Sequence, residues 1–207
     1  RAGYCVEFAP DGASIVTSSY VVDLMTGQYS ADFSKPIQYG ADYYAVTFIR
    51  ERRQLVGVAP VNAIIDARSI DSWVLDSRAA STEGMSFVSI SASPDGRTFA
   101  TGDDQGRVEL WDSETLKDLG LVGRHSARVK SVAFSPDGRT VASCGDDQMI
   151  SIWDVRARKQ VATVGTHAAP VLAIAYSPDG RRLVAGGHDN SVRVYTRHRN
   201  LWGFNLD

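Results

Sequence analysis

A tetrapeptide that returns at a fixed interval sets the strongest constraint on this chain. Ser-Pro-Asp-Gly occurs with its proline at residues 94, 136 and 178, each 42 residues after the last, and Ala9-Pro10-Asp11-Gly12 is a near copy close to the start. Proline pre-sets φ for the second position of a tight turn, and glycine tolerates the backbone that leaves it. In the most regular unit the turn Ser135-Pro136-Asp137-Gly138 separates two alternating runs, Val129 to Phe134 and Thr140 to Ser143. Gly145-Asp146-Asp147 forms the next turn, followed by runs from Met149 to Trp153 and from Gln160 to Val164. Four short β-forming runs on a period of about forty residues predict a four-stranded antiparallel meander, the unit of a propeller blade.

The ends of the first runs align as Phe8, Phe48, Ala92, Phe134 and Tyr176, and five units fit the 207 residues. The blade limits expected are 1–35, 36–78, 79–122, 123–164 and 165–207, in a single all-β domain. In the first unit the runs are Tyr4 to Phe8, Ser14 to Thr17, Tyr20 to Leu24 and Gln28 to Phe33. The second unit is the most degenerate, with runs at Tyr43 to Ile49, Leu55 to Val58, Ala63 to Asp66 and Val74 to Leu75. There Arg50-Glu51-Arg52-Arg53 stands in place of the proline turn, and a charge run of this kind reads as a solvated tip. The third unit runs Phe87 to Ile90, Thr98 to Thr101, Val108 to Trp111 and Leu119 to Val122. The fifth runs Val171 to Tyr176, Leu183 to Ala185, Val192 to Tyr195 and Leu201 to Leu206, with Trp202 as a packing anchor.

His125, Ser143, Asp147 and Trp153-Asp154 give the fourth unit its character. With Gly123-Arg124-His125 as a Gly-His-type opening and an intact Trp-Asp close, it resembles a WD40 repeat. The resemblance covers most of the chain and is strongest from about residue 86 to 196. It implies that the His, Ser, Asp and Trp side chains form a hydrogen-bonded chain that braces the blade. Their donor and acceptor inventories are compatible with that, and a satisfied buried network fixes register. A His with Ser and Asp also suggests a catalytic triad, but triad chemistry needs an exposed nucleophile beside an oxyanion site. By the same resemblance Thr17 takes the hydroxyl position of the first unit, and Thr101, Asp104 and Trp111 take the bracing positions of the third, where Glu83 replaces His. The fifth unit keeps His167 and Asp189, while Ala185 replaces the hydroxyl and Tyr195 the tryptophan.

WD40 rings usually carry seven blades, so five units leave two readings: a closed five-bladed ring, or part of a larger ring. The larger ring is the expectation here, since the chain opens on Arg1 inside a repeat and reads as a piece of something longer. An unclosed ring would bare apolar sheet faces on its end blades.

Charge and cysteine usage narrow the function further. Twenty-two Lys and Arg against 24 Asp and Glu are interspersed along the chain, without the clustered basic face of a nucleic-acid binder. No apolar run approaches membrane-spanning length, and no signal-peptide pattern is present. Cys5 and Cys144 lie in different repeats without metal-ligand spacing and read as free thiols in a reducing compartment, with the cytoplasm as the default location. Paired carboxylates at Asp103-Asp104 and Asp146-Asp147 read as one bracing and one exposed residue each, not as metal ligands. No phosphate-cradling loop, nucleophile elbow or zinc spacing occurs, so no catalytic residue, metal or cofactor is assigned.

The resemblance implies a protein-interaction scaffold. In such propellers the loops between fourth and first strands and between second and third strands form a top face that docks partner segments. Here those loops carry Arg124, Ser126, Arg128, Asp146, Gln148, Ala168, Pro170, His188 and Asn190. Of these, Arg124, Arg128, Asp146, Gln148, Pro170, His188 and Asn190 are the expected contacts for a protein or peptide partner, because binding residues concentrate on loops held by a rigid frame. The chain is also similar to propellers appended to large bacterial signalling or defence proteins, in which the propeller senses and an upstream effector domain responds. One alternative is a propeller enzyme with a site in the central channel, although Glu7 and Lys130 are the only charged residues in four of the first runs. The other is a permanent structural subunit of an assembly.

Overall fold

A computed structural model of the chain describes residues 6–17, 20–32, 43–59, 63–72, 74–80, 85–197 and 204–206. It contains five four-stranded antiparallel sheets, each a simple meander in chain order. The first blade is β1 (Val6–Phe8), β2 (Ser14–Thr17), β3 (Tyr20–Asp23) and β4 (Tyr29–Asp32). The second is β5 (Ala45–Ile49), β6 (Gln54–Ala59), β7 (Ile64–Ser69) and β8 (Leu75–Ala80). The third is β9 (Phe87–Ala92), β10 (Thr98–Asp103), β11 (Arg107–Asp112) and β12 (Asp118–Arg124). The fourth is β13 (Val129–Phe134), β14 (Thr140–Gly145), β15 (Met149–Asp154) and β16 (Lys159–Thr166). The fifth is β17 (Val171–Tyr176), β18 (Arg182–Gly187), β19 (Val192–Arg197) and β20 (Phe204–Leu206).

The fourth strands of the middle three blades end at Ala80, Arg124 and Thr166, beyond the limits of 78, 122 and 164 read from the sequence. They extend because the outer ladder continues after the apolar alternation has stopped. The fourth strand of the second blade covers Leu75–Ala80, so Leu75 lies in it as expected and Val74 just precedes it. The expectations for Tyr4, Cys5, Glu83 and Trp202 lie outside the described residues.

The blades stand side by side through their first strands, β1 against β5, β5 against β9, β9 against β13 and β13 against β17. Apolar residues from facing sheets fill each joint, as where Ala142, Cys144, Ile150 and Ile152 of the fourth blade meet Val171, Ile174, Leu183 and Tyr195 of the fifth. A repeated hydrogen bond also crosses these joints. Val132 N donates to Ser89 Oγ at 3.0 Å, Phe134 N to Ser91 Oγ at 3.1 Å and Ile174 N to Ser131 Oγ at 3.3 Å. Ala92 N donates to Thr47 Oγ1 at 3.3 Å, and Phe48 N to Glu7 Oε1 at 3.4 Å. Backbone N–H groups of one inner strand are thus satisfied by short polar side chains of the preceding one, which locks blade to blade at a fixed height.

β14 is buried along its whole length, since a middle blade is covered on both faces. β18, at the same place in the fifth blade, alternates between exposed and buried residues. Val192 is 72% exposed where its fourth-blade equivalent Ile150 is 0%, and Phe8 is 65% exposed where Phe48 is 6%. One apolar face of the first blade and one of the fifth are therefore bare among the described residues. No described helix is long and apolar enough to cross a membrane.

Candidate functional site

The bracing residues of the fourth blade come from four places: His125 from the loop before β13, Ser143 from β14, Asp147 from the β14–β15 turn, and Trp153 from β15. Trp153 Nε1 donates to Ser143 Oγ at 2.5 Å, Ser143 Oγ meets His125 Nε2 at 2.6 Å, and His125 Nδ1 meets Asp147 Oδ2 at 2.8 Å. Indole only donates and carboxylate only accepts, so the proton order follows: Trp to Ser, Ser to His Nε2, and His Nδ1–H to Asp. The hydroxyl is wholly buried, accepting from the indole and donating to the imidazole, so it is not presented to a substrate. The arrangement fastens the loop before β13 to two strands and to the β14–β15 turn.

The fifth blade repeats the geometry with gaps. His167 Nδ1 stands 3.3 Å from Asp189 Oδ2. Ser191 Oγ donates to Asp189 Oδ1 at 2.6 Å and, with its own backbone N–H, holds the Asp189 carboxyl well below the usual carboxylate range. With Ala185 in the hydroxyl position, His167 Nε2 and the Tyr195 hydroxyl are both buried without a hydrogen-bond partner among the described residues.

In the third blade Trp111 Nε1 donates to Thr101 Oγ1 at 2.9 Å, but Asp104 does not join them. Asp104 Oδ1 accepts from Ser86 N at 3.1 Å instead. Counted back from the tryptophan, Asp104 is the equivalent of Asp146, and Gln105 occupies the place of Asp147. The buried carboxylate of this turn is Asp103, which accepts from Gln105 N and Arg107 N and pairs with Arg107 Nε at 2.9 Å.

The second blade, without any of the four bracing residues, carries a network that the repeat pattern does not reveal. Tyr43 Oη donates to Asp66 Oδ2 at 2.9 Å and accepts from Arg68 Nε at 2.9 Å. Arg78 grips Asp66 through Nε at 2.6 Å and Nη2 at 2.9 Å. Asp66 is wholly buried, and burial together with the Asp66 charge pushes the Tyr43 phenol upward. Three charges and a phenol from β7, β8 and the entry to β5 thus do what His, Ser, Asp and Trp do in the fourth blade. The only sequence signal was an Asp and an Arg inside the otherwise apolar stretch Ile64 to Ser69.

Glycine at two repeat-equivalent places explains why the outer strands approach so closely. A Cβ at Gly123 would lie 2.2 Å from the Trp153 ring, and one at Gly165 would lie 2.8 Å from the Tyr195 hydroxyl. The Gly of the Gly-Arg-His opening is therefore a floor for the aromatic residue of the next blade.

The expected partner-binding residues fall on loops that are cross-linked through their backbones. Asp146 N donates to Arg128 O at 2.9 Å and His188 N to Pro170 O at 2.8 Å, tying the second-to-third loop of a blade to its entry loop. His125 N donates to Gly106 O at 2.8 Å and His167 N to Gln148 O at 3.0 Å, tying each entry loop to the blade before it. Arg124, Gln148, His188 and Asn190 are exposed on this frame, and Asp146, Arg128 and Pro170 are half-buried. Asp146 Oδ1 pairs with Lys130 Nζ at 3.3 Å. The exposed Arg50-Glu51-Arg52-Arg53 tip is anchored too: Arg52 Nη2 donates to Glu114 Oε2 at 2.8 Å and Arg52 Nε to Ser113 Oγ at 3.1 Å.

On the opposite face a cavity of about 610 Å³ lies between the third and fourth blades, lined by Arg97, Arg139, Arg156, Asp95, Asp137 and Asp154 among others. Both signs of charge surround it, so it presents no uniform field to a ligand. In the first joint, Glu7 is half-buried and desolvation pushes its carboxyl up to about 7, with the Phe48 N–H and Arg50 opposing. Among the described residues no three His, Cys, Asp or Glu side chains cluster as metal ligands would.

Comparison with protein families matches the WD domain, G-beta repeat, at residues 80–112, 117–154 and 158–196, just over half of the chain. The second and third matched segments open on the outer strand of one sheet and close on the third strand of the next, so the sequence repeat straddles two blades. No curated protein matches the chain. Five meandering blades, a braced Trp-Asp unit and three family matches together make this chain a member of the WD40-repeat family of β-propellers.

Proposed function

We propose that this chain is a non-catalytic recognition module, docking a protein or peptide segment on the loops that carry Arg124, Arg128, Asp146, Gln148, Pro170, His188 and Asn190. WD40 propellers are commonly protein-interaction scaffolds. The observation that carries the reading is the set of exposed polar side chains on loops that are hydrogen-bonded to one another within and between blades. Such a frame presents contacts without ordering them at the moment of binding, which favours affinity. An enzyme reading has less behind it: Lys130 is paired with Asp146, and Glu7 is engaged in a blade joint.

In the fuller form of this proposal the module senses a partner for an effector domain in the same cytoplasmic signalling or defence protein. Further blades would then cover the bare faces of the first and fifth sheets, whose apolar residues support a larger ring of about seven blades.

Photo-crosslinking tests the choice of face. A crosslinker at Gln148 or His188 should capture a partner in cells of the source organism, and one at Arg156 or Asp179 on the opposite turns should not. Capture from the opposite turns alone would refute the assignment. The multidomain part is tested by the mass of the native polypeptide, which at 22.5 kDa would contradict a fused effector.

A further inference from the structure

The residues that immediately precede the inner strands β5, β9, β13 and β17 sit at the rim of the central channel. These residues are Tyr44 before β5, Ser86 before β9, Arg128 before β13 and Pro170 before β17, each 42 positions after the last. Three of them are pinned by one recurring backbone bond. Asp104 N donates to Ser86 O, Asp146 N to Arg128 O, and His188 N to Pro170 O. The rim therefore places one side chain per blade at a fixed height, and the identity of each side chain is free to vary with function.

Arg128 does not point back into its own blade. Its guanidinium carbon lies 5.9 Å from the centre of the Tyr44 ring, so the side chain of the fourth blade reaches past the third to the second. Arg128 Nε is buried and has no hydrogen-bond partner among the described residues. The neighbouring carboxylates are occupied elsewhere: Asp146 with Lys130, Asp104 with Ser86 N, and Asp103 with Arg107. A buried N–H donor without an acceptor is unfavourable, and a guanidinium stacked on an aromatic ring keeps its fork of donors in one plane. Arg128 Nε–H is thus a donor held in place with no acceptor among the described residues.

We propose that Arg128, steadied by Tyr44, is the anchor for an oxyanion of an acidic peptide docked at the channel mouth. The inference rests on the reading of this face as a recognition surface and adds the chemistry of what is recognised. Bidentate pairing with a carboxylate or phosphoryl group fits the guanidinium fork. The oxyanion has three sources that share this chemistry: an Asp or Glu side chain, a phosphorylated side chain, or a C-terminal carboxylate.

The Arg Nε–Hε region of the proton–nitrogen NMR spectrum reads the site directly, with the Arg128 signal identified by its loss in Arg128→Lys. The probes are four hexapeptides otherwise built of Gly and Ser. One carries two Glu and an amidated end, one a phosphoserine and an amidated end, one only a free C-terminal carboxylate, and the control two Lys and an amidated end. At least one acidic probe should shift the Arg128 signal saturably while the lysine control leaves it in place, and the probe that does so names the source. Arg128→Ala should weaken that binding about tenfold or more, since a charged hydrogen bond is lost. Arg128→Lys should recover only part of the loss, because an ammonium lacks the planar fork. If no acidic probe moves the signal, or if Arg128→Ala binds the acidic probes as well as the parent does, the proposal is wrong. A partner that crosslinks at Gln148 or His188 with affinity unchanged by Arg128→Ala would sink this inference and leave the recognition surface standing. A shifted Arg128 signal with no crosslinked partner would do the reverse.

Discussion

Replacing Ala185 with serine should stabilise this protein, although it puts a polar atom into a fully buried site. Ala185 is 0% exposed and holds the place that Ser143 holds in the fourth blade. There the hydroxyl takes the Trp153 N–H and meets His125 Nε2; here His167 Nε2 and the Tyr195 hydroxyl have no partner among the described residues. Each buried unsatisfied group costs about 1–3 kcal/mol, and a completed neutral hydrogen bond contributes about 1 kcal/mol net. Asp189 sets the orientation of the ring by facing Nδ1, so a serine hydroxyl donates to Nε2 without any tautomer change. A net gain of about 1–2 kcal/mol is expected, which for a chain of this size raises the melting temperature by roughly 2–8 °C. The converse change, Ser143→Ala, strands both the indole N–H and the imidazole nitrogen and should cost about 2–4 kcal/mol. Chemical denaturation of the two variants measures both effects, and Ala185→Ser in a His167→Phe background should lose most of its gain. If Ala185→Ser destabilises the protein while Ser143→Ala destabilises it by the expected amount, the blades are not equivalent in the way proposed, and the missing hydroxyl is compensated elsewhere.

Three further outcomes follow from single contacts. Gly123→Ala drives a methyl group into the Trp153 ring, and an overpacking loss of about 1–3 kcal/mol is expected by denaturant titration. Because burial raises the Glu7 carboxyl from 4.5 to about 7, the folded state holds a proton there that the unfolded chain has already released. Stability from this group is therefore full below about pH 4.5 and declines as pH rises to about 7, so Glu7→Gln should flatten that slope and be more stable than the parent at pH 8; a steeper slope would refute it. Cys144 is buried at the joint of the fourth and fifth blades, where desolvation pushes its thiol up to about 12. In a Cys5→Ser background, thiol labelling of Cys144 should proceed only at the rate at which that joint opens, and prompt labelling under native conditions would contradict the packing.

Much of this protein was decided along the chain itself. The 42-residue period, the Ser-Pro-Asp-Gly turns and the alternating runs are local signals, and local signals suffice to place strands and hairpins because a turn needs only its own four residues. The fourth-blade chain of His125, Ser143, Asp147 and Trp153 was legible through the resemblance of that one unit to a WD40 repeat, since each other unit lacks at least one of the four. Spacing from Trp111 already puts Gln105 and not Asp104 at the bracing position of the third blade, but that Asp103 pairs with Arg107 and Asp104 takes the Ser86 N–H is decided by the tertiary structure. So is the Tyr43–Asp66–Arg68–Arg78 network, whose members obey no repeat and meet because three strands carry them to one buried point. The reach of Arg128 to Tyr44 and the bare faces of the end blades belong to the same class. Alternation tells which side chains share a face of a sheet, and only the packing of one sheet on another tells whether that face is covered.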